Sequence, residues 1–181
     1  ALAQSGPNTI AAQYGTGTYV STNKGAQWTS VAFPSVYPTA LAAEGATVIA
    51  GTSNDGVFYS TNMGQSWSPT ALRNIHVEAL ALRDSIYLAG TSGAGVNGGG
   101  LYRSTDSGLH WSQSYPRHAQ WALALEDSDA FAATDVGILR STDVGASWSP
   151  TSVTDQWVSS IFRSASIVVA GCGSGVYVST D

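Results

Sequence analysis

An eight-residue phrase, Ser-Thr-Asp/Asn-x-Gly-x-x-Trp, recurs through this chain and restricts its fold more than any other feature. The complete copies are Ser21-Thr22-Asn23-Lys24-Gly25-Ala26-Gln27-Trp28, Ser60-Thr61-Asn62-Met63-Gly64-Gln65-Ser66-Trp67, Ser104-Thr105-Asp106-Ser107-Gly108-Leu109-His110-Trp111 and Ser141-Thr142-Asp143-Val144-Gly145-Ala146-Ser147-Trp148. A fifth begins at Ser179-Thr180-Asp181. Self-similarity with a period of about 40 residues marks a stack of one supersecondary unit, each copy burying its apolar faces against its neighbours.

The phrase is a turn. Ser, Asp and Asn side chains bond nearby backbone N–H groups where a reversing chain has no ladder partner. The glycine supplies positive φ at least cost, and the tryptophan folds a large apolar ring back under the turn. A structural role is therefore expected for Ser21, Asn23, Gly25 and Trp28, and for Ser60, Asn62, Gly64 and Trp67. The same holds for Ser104, Asp106, Gly108 and Trp111, and for Ser141, Asp143, Gly145 and Trp148. Asparagine at positions 23 and 62 caps a turn as well as aspartate but serves poorly as an acid.

A second theme fills the space between turns. Ala40-Leu41-Ala42 leads to Thr47-Val48-Ile49-Ala50-Gly51, Ala79-Leu80-Ala81-Leu82 to Ile86-Tyr87-Leu88-Ala89-Gly90, and Ala122-Leu123-Ala124-Leu125 to Phe131-Ala132-Ala133. Short apolar runs between Gly/Asn/Asp/Ser turns predict strands. There are four per unit, A to D: Ala-Leu-Ala, Val-Ile-Ala-Gly, Val-Tyr-x-Ser and Trp-Ser-x-x. Runs A and B are apolar almost throughout, the mark of a sheet covered on both faces. The expected fold is all-β, a propeller of four-stranded antiparallel blades with alanine-rich strand A innermost, where blades converge. The predicted blades are 1–36, 37–75, 76–117, 118–155 and 156–181, a single domain of four complete blades and a fifth lacking strand D. Such an arc is expected to belong to a larger propeller or to have its open edges covered by other copies.

The repeated phrase resembles the Asp-box, or bacterial neuraminidase repeat, of sialidase-like propellers, sortilin-type receptors and photosystem assembly factors. The resemblance implies a structural staple on the face opposite the ligand site, so ligands are expected at the D-to-A and B-to-C connections. These connections vary most between units, as expected where a scaffold carries function on loops. They supply Tyr37, Arg73, His76, Arg117, His118, Trp121, Asp135 and Trp157 as candidate ligand contacts, together with a glycine-rich loop over 92–100. Aromatic faces beside Arg, Asn, Gln and Asp suit a sugar ring. The alternative is that Trp121 and Trp157 open strand A and plug the gaps between blades.

Composition narrows the partners. Charged residues are 10% of the chain, the net charge is −5 and Lys24 is the single lysine. No basic stripe exists to neutralise phosphates, so nucleic acid is not an expected partner. No apolar run approaches membrane-spanning length. Few Lys and Glu with abundant Ser, Thr, Gly and Trp suit a secreted or cell-surface protein. The lone Cys172 excludes an internal disulfide and is expected to be a small buried residue, its repeat counterparts being Thr52, Thr91 and Thr134. His76, His110 and His118 lack metal-ligand spacing. Glu126, Asp127 and Asp129 offer oxygens suited to calcium or form a solvated A–B turn. The glycine-rich loop has no lysine and no following helix, so it is not a phosphate cradle. No metal and no cofactor is expected.

Resemblance to sialidases would imply an Arg-Ile-Pro motif, three substrate-binding arginines, a Tyr/Glu pair and an acid Asp. Arg-Ile-Pro is absent and nothing basic precedes Lys24. Arg103 and Arg140 sit just before turns, and Arg83 and Arg163 at A–B hairpins, leaving Arg73 and Arg117. A glycosidase using two carboxylates would have to pair Glu78 with Asp135 or Asp155. The expected function is a non-catalytic binding scaffold for a glycan or protein. The alternatives are a structural subunit that assembles with other copies of itself through open blade edges, and a glycoside hydrolase.

Overall fold

The computed structural model describes residues 1–15, 17–35, 37–93, 99–116 and 120–180. All regular structure among them is strand, arranged in five antiparallel sheets. Blade one comprises β1 (Leu2–Ser5), β2 (Asn8–Gln13), β3 (Gly17–Ser21) and β4 (Thr29–Val31). Blade two comprises β5 (Pro38–Glu44), β6 (Thr47–Thr52), β7 (Val57–Ser60) and β8 (Ser68–Pro69). Blade three follows with β9 (His76–Arg83), β10 (Ile86–Ser92), β11 (Gly100–Ser104) and β12 (Ser112–Pro116). Blade four is β13 (Gln120–Glu126), β14 (Asp129–Thr134), β15 (Gly137–Ser141) and β16 (Ser149–Thr154), and blade five is β17 (Val158–Ser164), β18 (Ile167–Cys172) and β19 (Gly175–Ser179).

Each blade is a meander in chain order. The first strands meet in succession: β1 packs on β5, β5 on β9, β9 on β13 and β13 on β17. Strand A is thus innermost, and alanines there let the blades converge. Strand D begins one residue after the tryptophan, not at it, because the ring turns under the chain before pairing starts. Two of these outermost strands carry Ser-Pro (Ser68-Pro69 and Ser149-Pro150), and proline on an edge removes a donor that would otherwise template another strand.

Alternation along each strand feeds two seams. In blade two, Ile49 and Val57 face forward to pack with Val77, Leu80 and Tyr87 of blade three, while Val48 faces back to Ile10 and Val20 of blade one. Each seam is a separate cluster, so stability is built from neighbour contacts as in other repeat proteins. Trp67, Trp111 and Trp148 each lie between their own blade and the preceding one. Trp28 has no described blade behind it and stays 42% exposed. At the other end, Phe162, Val176 and Val178 occupy forward-facing positions and are exposed; Val176 is 70% exposed where its blade-four equivalent Ile138 is 6%.

A chain of polar contacts joins the A–B hairpins from blade to blade. Glu44 accepts the Asp84 amide at 2.5 Å, and Arg83 meets Asp127 at 2.8 Å. Arg163 reaches Asp129 at 3.3 Å and donates to the Glu126 carbonyl at 2.8 Å, while Arg140 approaches Asp129 at 3.3 Å. Arg140 and Arg163 both lie 5.7 Å from the Phe131 ring centre. The acidic A–B turn over 126–129 is therefore paired with arginines of its own and the neighbouring blades. Among the described residues no His/Cys/Asp/Glu group is arranged as a metal site.

Candidate functional site

The four repeated turns share one hydrogen-bond scheme. In each, the serine hydroxyl donates to the Asp/Asn Oδ1 at 2.7–2.9 Å. It accepts the glycine amide at 2.8–2.9 Å. The same Oδ1 accepts the amide four residues on, from Gln27, Ser66, His110 or Ser147, at 2.8–2.9 Å. Not only the glycine but the residue before it has positive φ: Lys24, Met63, Ser107 and Val144 lie at 54–58°. For a β-branched valine that is strained backbone, held because the side-chain bonds on both sides define the turn. In the two acidic copies these donors hold the carboxyl low. The His110 amide and ring bring Asp106 to about 2, and the Ser147 hydroxyl and amide bring Asp143 to about 2. All of this is turn chemistry, with each Asp/Asn Oδ1 accepting two donors of its own turn.

The opposite ends of the blades carry a different pattern. Each of the inner strands β5, β9, β13 and β17 has one extra residue relative to its partner, so its register slips at the end opposite the repeated turns. The extra residues are Thr39, Glu78, Trp121 and Ser159, equivalent positions in four successive blades. A bulge bends the strand and re-aims the side chain it carries. Just ahead of the bulges, at a second equivalent position, stand Tyr37, His76 and Trp157.

The two rings of positions meet across seams. Trp121 on the blade-four bulge contacts Trp157 of blade five edge to face, with ring centres 5.7 Å apart. They are 38% and 57% exposed. Tyr14 and Tyr37 make a similar pair across the first seam, at 4.9 Å. Beside Trp157, Gln156 hydrogen-bonds the Tyr177 hydroxyl at 3.0 Å and accepts from Ser174. On blade three, Glu78 Oε1 accepts from Ser92 at 2.7 Å and lies 3.4 Å from His76 Nε2.

Backbone bonds hold these loops. The Ser53 amide donates to Tyr37 O at 3.0 Å, Gly173 to Trp157 O at 3.2 Å, and Asp155 to Val136 O at 2.9 Å. At the ends of β6, β10 and β14, the buried Thr52, Thr91 and Thr134 hydroxyls donate to Gly56, Gly100 and Gly137 carbonyls at 2.8–3.0 Å. Cys172 stands at the same position of β18 but is half-buried instead of enclosed, since no described blade covers it in front. Burial nevertheless pushes its thiol up.

Of the candidate contacts, Trp121 and Trp157 are brought together, and Tyr37 and His76 occupy equivalent positions on neighbouring blades. Arg73 turns back to the Thr70 carbonyl at 3.0 Å, which ties its Nε to its own loop. Asp135 lies on the exposed B–C turn of blade four. Arg117, His118 and residues 94–98 of the glycine-rich loop lie outside the described residues. Tyr14, Ser174 and Tyr177 belong to this face but escaped the sequence reading. Tyr177 sits in strand C, where its counterpart Leu139 is core, and only the reach of its hydroxyl to Gln156 reveals a second role.

No protein-family model and no curated protein sequence matches the chain. Solved structures do. The GH74 xyloglucanase from Xanthomonas campestris superimposes with a TM-score of 0.77 at 16% identity, over 97% of this chain and 35% of the enzyme. The extracellular domain of the one-component system BT4673 from B. thetaiotaomicron gives 0.75 at 18%, over 98% of this chain and 27% of that one. YCF48 from Cyanidioschyzon merolae gives 0.56 at 13%, over 99% and 81%. The fold is thus a β-propeller, and the chain spans about a third or less of the length of the first two.

Proposed function

We propose that this chain is a non-catalytic, extracellular binding propeller that holds a glycan or protein ligand on its D–A and B–C loop face. In this reading its repeated turns are Asp-boxes serving as staples on the far side. The observation that carries it is the Trp121–Trp157 pair. Two large rings remain exposed, one on the bulge of β13 and one just ahead of β17, with Gln156, Ser174 and Tyr177 alongside. Apolar faces with fixed polar groups at their edge match what a sugar ring or an aromatic-anchored peptide needs. Similarity to an extracellular sensor domain and to a polysaccharide-degrading enzyme accords with an extracellular, ligand-facing scaffold.

A binding role is favoured over hydrolysis by where the arginines go. Arg83, Arg103, Arg140 and Arg163 bond neighbouring hairpins and turns, and Arg73 bonds Thr70. No described set of three is left to grip a substrate carboxylate. A glycan array probed with the chain and with Trp121→Ala, Trp157→Ala and the double variant tests the reading. Binding lost in the variants while their melting is unchanged supports it. Release of free sugar from sialosides or aryl glycosides, abolished by Glu78→Gln, refutes the non-catalytic part.

A further inference from the structure

The tryptophan of each inner repeat shares its seam with a strand-C residue of the same blade: Phe58 with Trp67, Tyr102 with Trp111 and Leu139 with Trp148. What covers each pair is the outer strand of the blade before it. In the first seam Phe33 does so, its ring meeting Phe58 at 5.6 Å and Trp67 at 4.9 Å, edge to face in both cases. In the third, Tyr115 packs against the cluster that holds Leu139 and Trp148.

The second seam, between blades two and three, is built differently. Residues 68–73 of blade two contain no aromatic side chain. Leu72, five residues after its tryptophan as Phe33 is, turns into the core with Ile49 and Val57. Ala71, four residues after it as Tyr115 is, brings only a methyl group. A pocket of about 340 Å³ opens there, walled by Ala71 and Arg73 of blade two and by Tyr102, Leu109, His110 and Trp111 of blade three. Both flanking blades are four-stranded.

Two basic side chains border this pocket, and only one is uncommitted. The His110 ring is held by Asp106 at 2.6 Å. Arg73 is exposed, its Nε is fixed on the Thr70 carbonyl at 3.0 Å, and it has no carboxylate partner among the described residues. Arg83, Arg140 and Arg163 each have one. With Nε engaged, Nη1 and Nη2 remain as an end-on pair of donors, the fork that matches a carboxylate. The volume lies near the low end of the roughly 300–1,000 Å³ of small-molecule sites, which suits one ring with a short substituent.

We propose that this pocket is a second ligand site, independent of the loop face, and that it takes a small aromatic carboxylic acid. The ring lies against Tyr102 and Trp111, as Phe33 and Tyr115 do against the corresponding pairs, and the carboxylate meets Nη1 and Nη2 of Arg73. Aromatic walls favour such a ring edge to face, and the arginine selects the acid over a neutral analogue.

Phenylacetate titrated into the isotope-labelled 181-residue protein and followed by NMR tests this. Saturable shifts are expected at the Trp111 indole and Arg73 Nε–H signals, with the Trp121 and Trp157 indoles unmoved. A Kd of about a millimolar is the range for a ligand of about ten non-hydrogen atoms. Phenylacetamide, of the same shape without the charge, should bind about tenfold or more weaker, and Arg73→Gln should weaken phenylacetate binding to the same degree. Ala71→Tyr, at an exposed position, puts a ring where Tyr115 stands in the next seam and should abolish binding without lowering the melting temperature. Equal affinity for the acid and the amide, shifts confined to other residues, no saturable shift, or undiminished binding by a folded Ala71→Tyr overturns the proposal.

Discussion

Trp148 and Trp28 hold the same place in the repeat, but only one has a blade behind it, and this sets up a direct measure of the seam. Trp148 is 9% exposed and its indole N–H has two acceptors. Truncating a buried aromatic of this size to alanine costs about 3–5 kcal/mol, from lost transfer energy and the cavity left between blades. Trp28 is 42% exposed, so Trp28→Ala should cost about 1–2 kcal/mol on the same area argument. A finer contrast comes from phenylalanine. Trp67 Nε1 is buried without a partner among the described residues, so Trp67→Phe removes an unsatisfied donor and should be nearly neutral. Trp148→Phe loses two hydrogen bonds, about 1–2 kcal/mol. Urea unfolding followed by far-UV circular dichroism, with the slope checked for constancy, gives all four numbers. If Trp28→Ala destabilises as much as Trp148→Ala, the tryptophans act on their own turns and the seam account is wrong.

The acidic turns carry a pH signature. Asp106 and Asp143 titrate at about 2 in the folded chain, against about 4 when unfolded. Their stabilisation is therefore complete above pH 4 and is lost as the pH falls toward 2; Asp106→Asn with Asp143→Asn should flatten that acid limb, and carboxyl titration by NMR reads the two midpoints directly. Val144→Asn should raise stability by up to about 1 kcal/mol, because asparagine tolerates the left-handed backbone that valine resists; an unchanged or lower melting point speaks against strain there. Gly137→Ala should cost at least about 2 kcal/mol, since its φ is +127° and a Cβ would lie 2.2 Å from Val153 O; wild-type stability would mean the B–C turn can shift.

Much of the scaffold was legible because the repeat compares the chain with itself. Positions 23, 62, 106 and 143 vary only between Asn and Asp, and the hydrogen bonds show why: one side-chain oxygen facing two donors is all the turn requires. The apolar runs marked strands A and B, since both faces of every inner blade are covered. What the repeat conceals is any feature held by backbone with no fixed side chain. The left-handed residue before each glycine is Lys, Met, Ser or Val, so composition gives no hint of it. The bulges are equally hidden, because Thr39, Glu78, Trp121 and Ser159 share a position but no side-chain type common to all four.

That concealment bears directly on the loop face. A bulge conserves direction, not identity, so each blade presents a different side chain to the same region. Trp121 and Trp157 look like core residues in sequence, being large, apolar and at the mouth of a buried strand. The slipped register places Trp121 outside the alternation that would have buried it, against a ring from the next blade. By contrast, the arginines, whose charge singled them out in sequence, are drawn off by carboxylates and carbonyls of adjacent hairpins. The described side chains around the Trp121–Trp157 pair are aromatic and neutral-polar, and under the proposed function a ligand there would be recognised by its faces and hydroxyls before its charge.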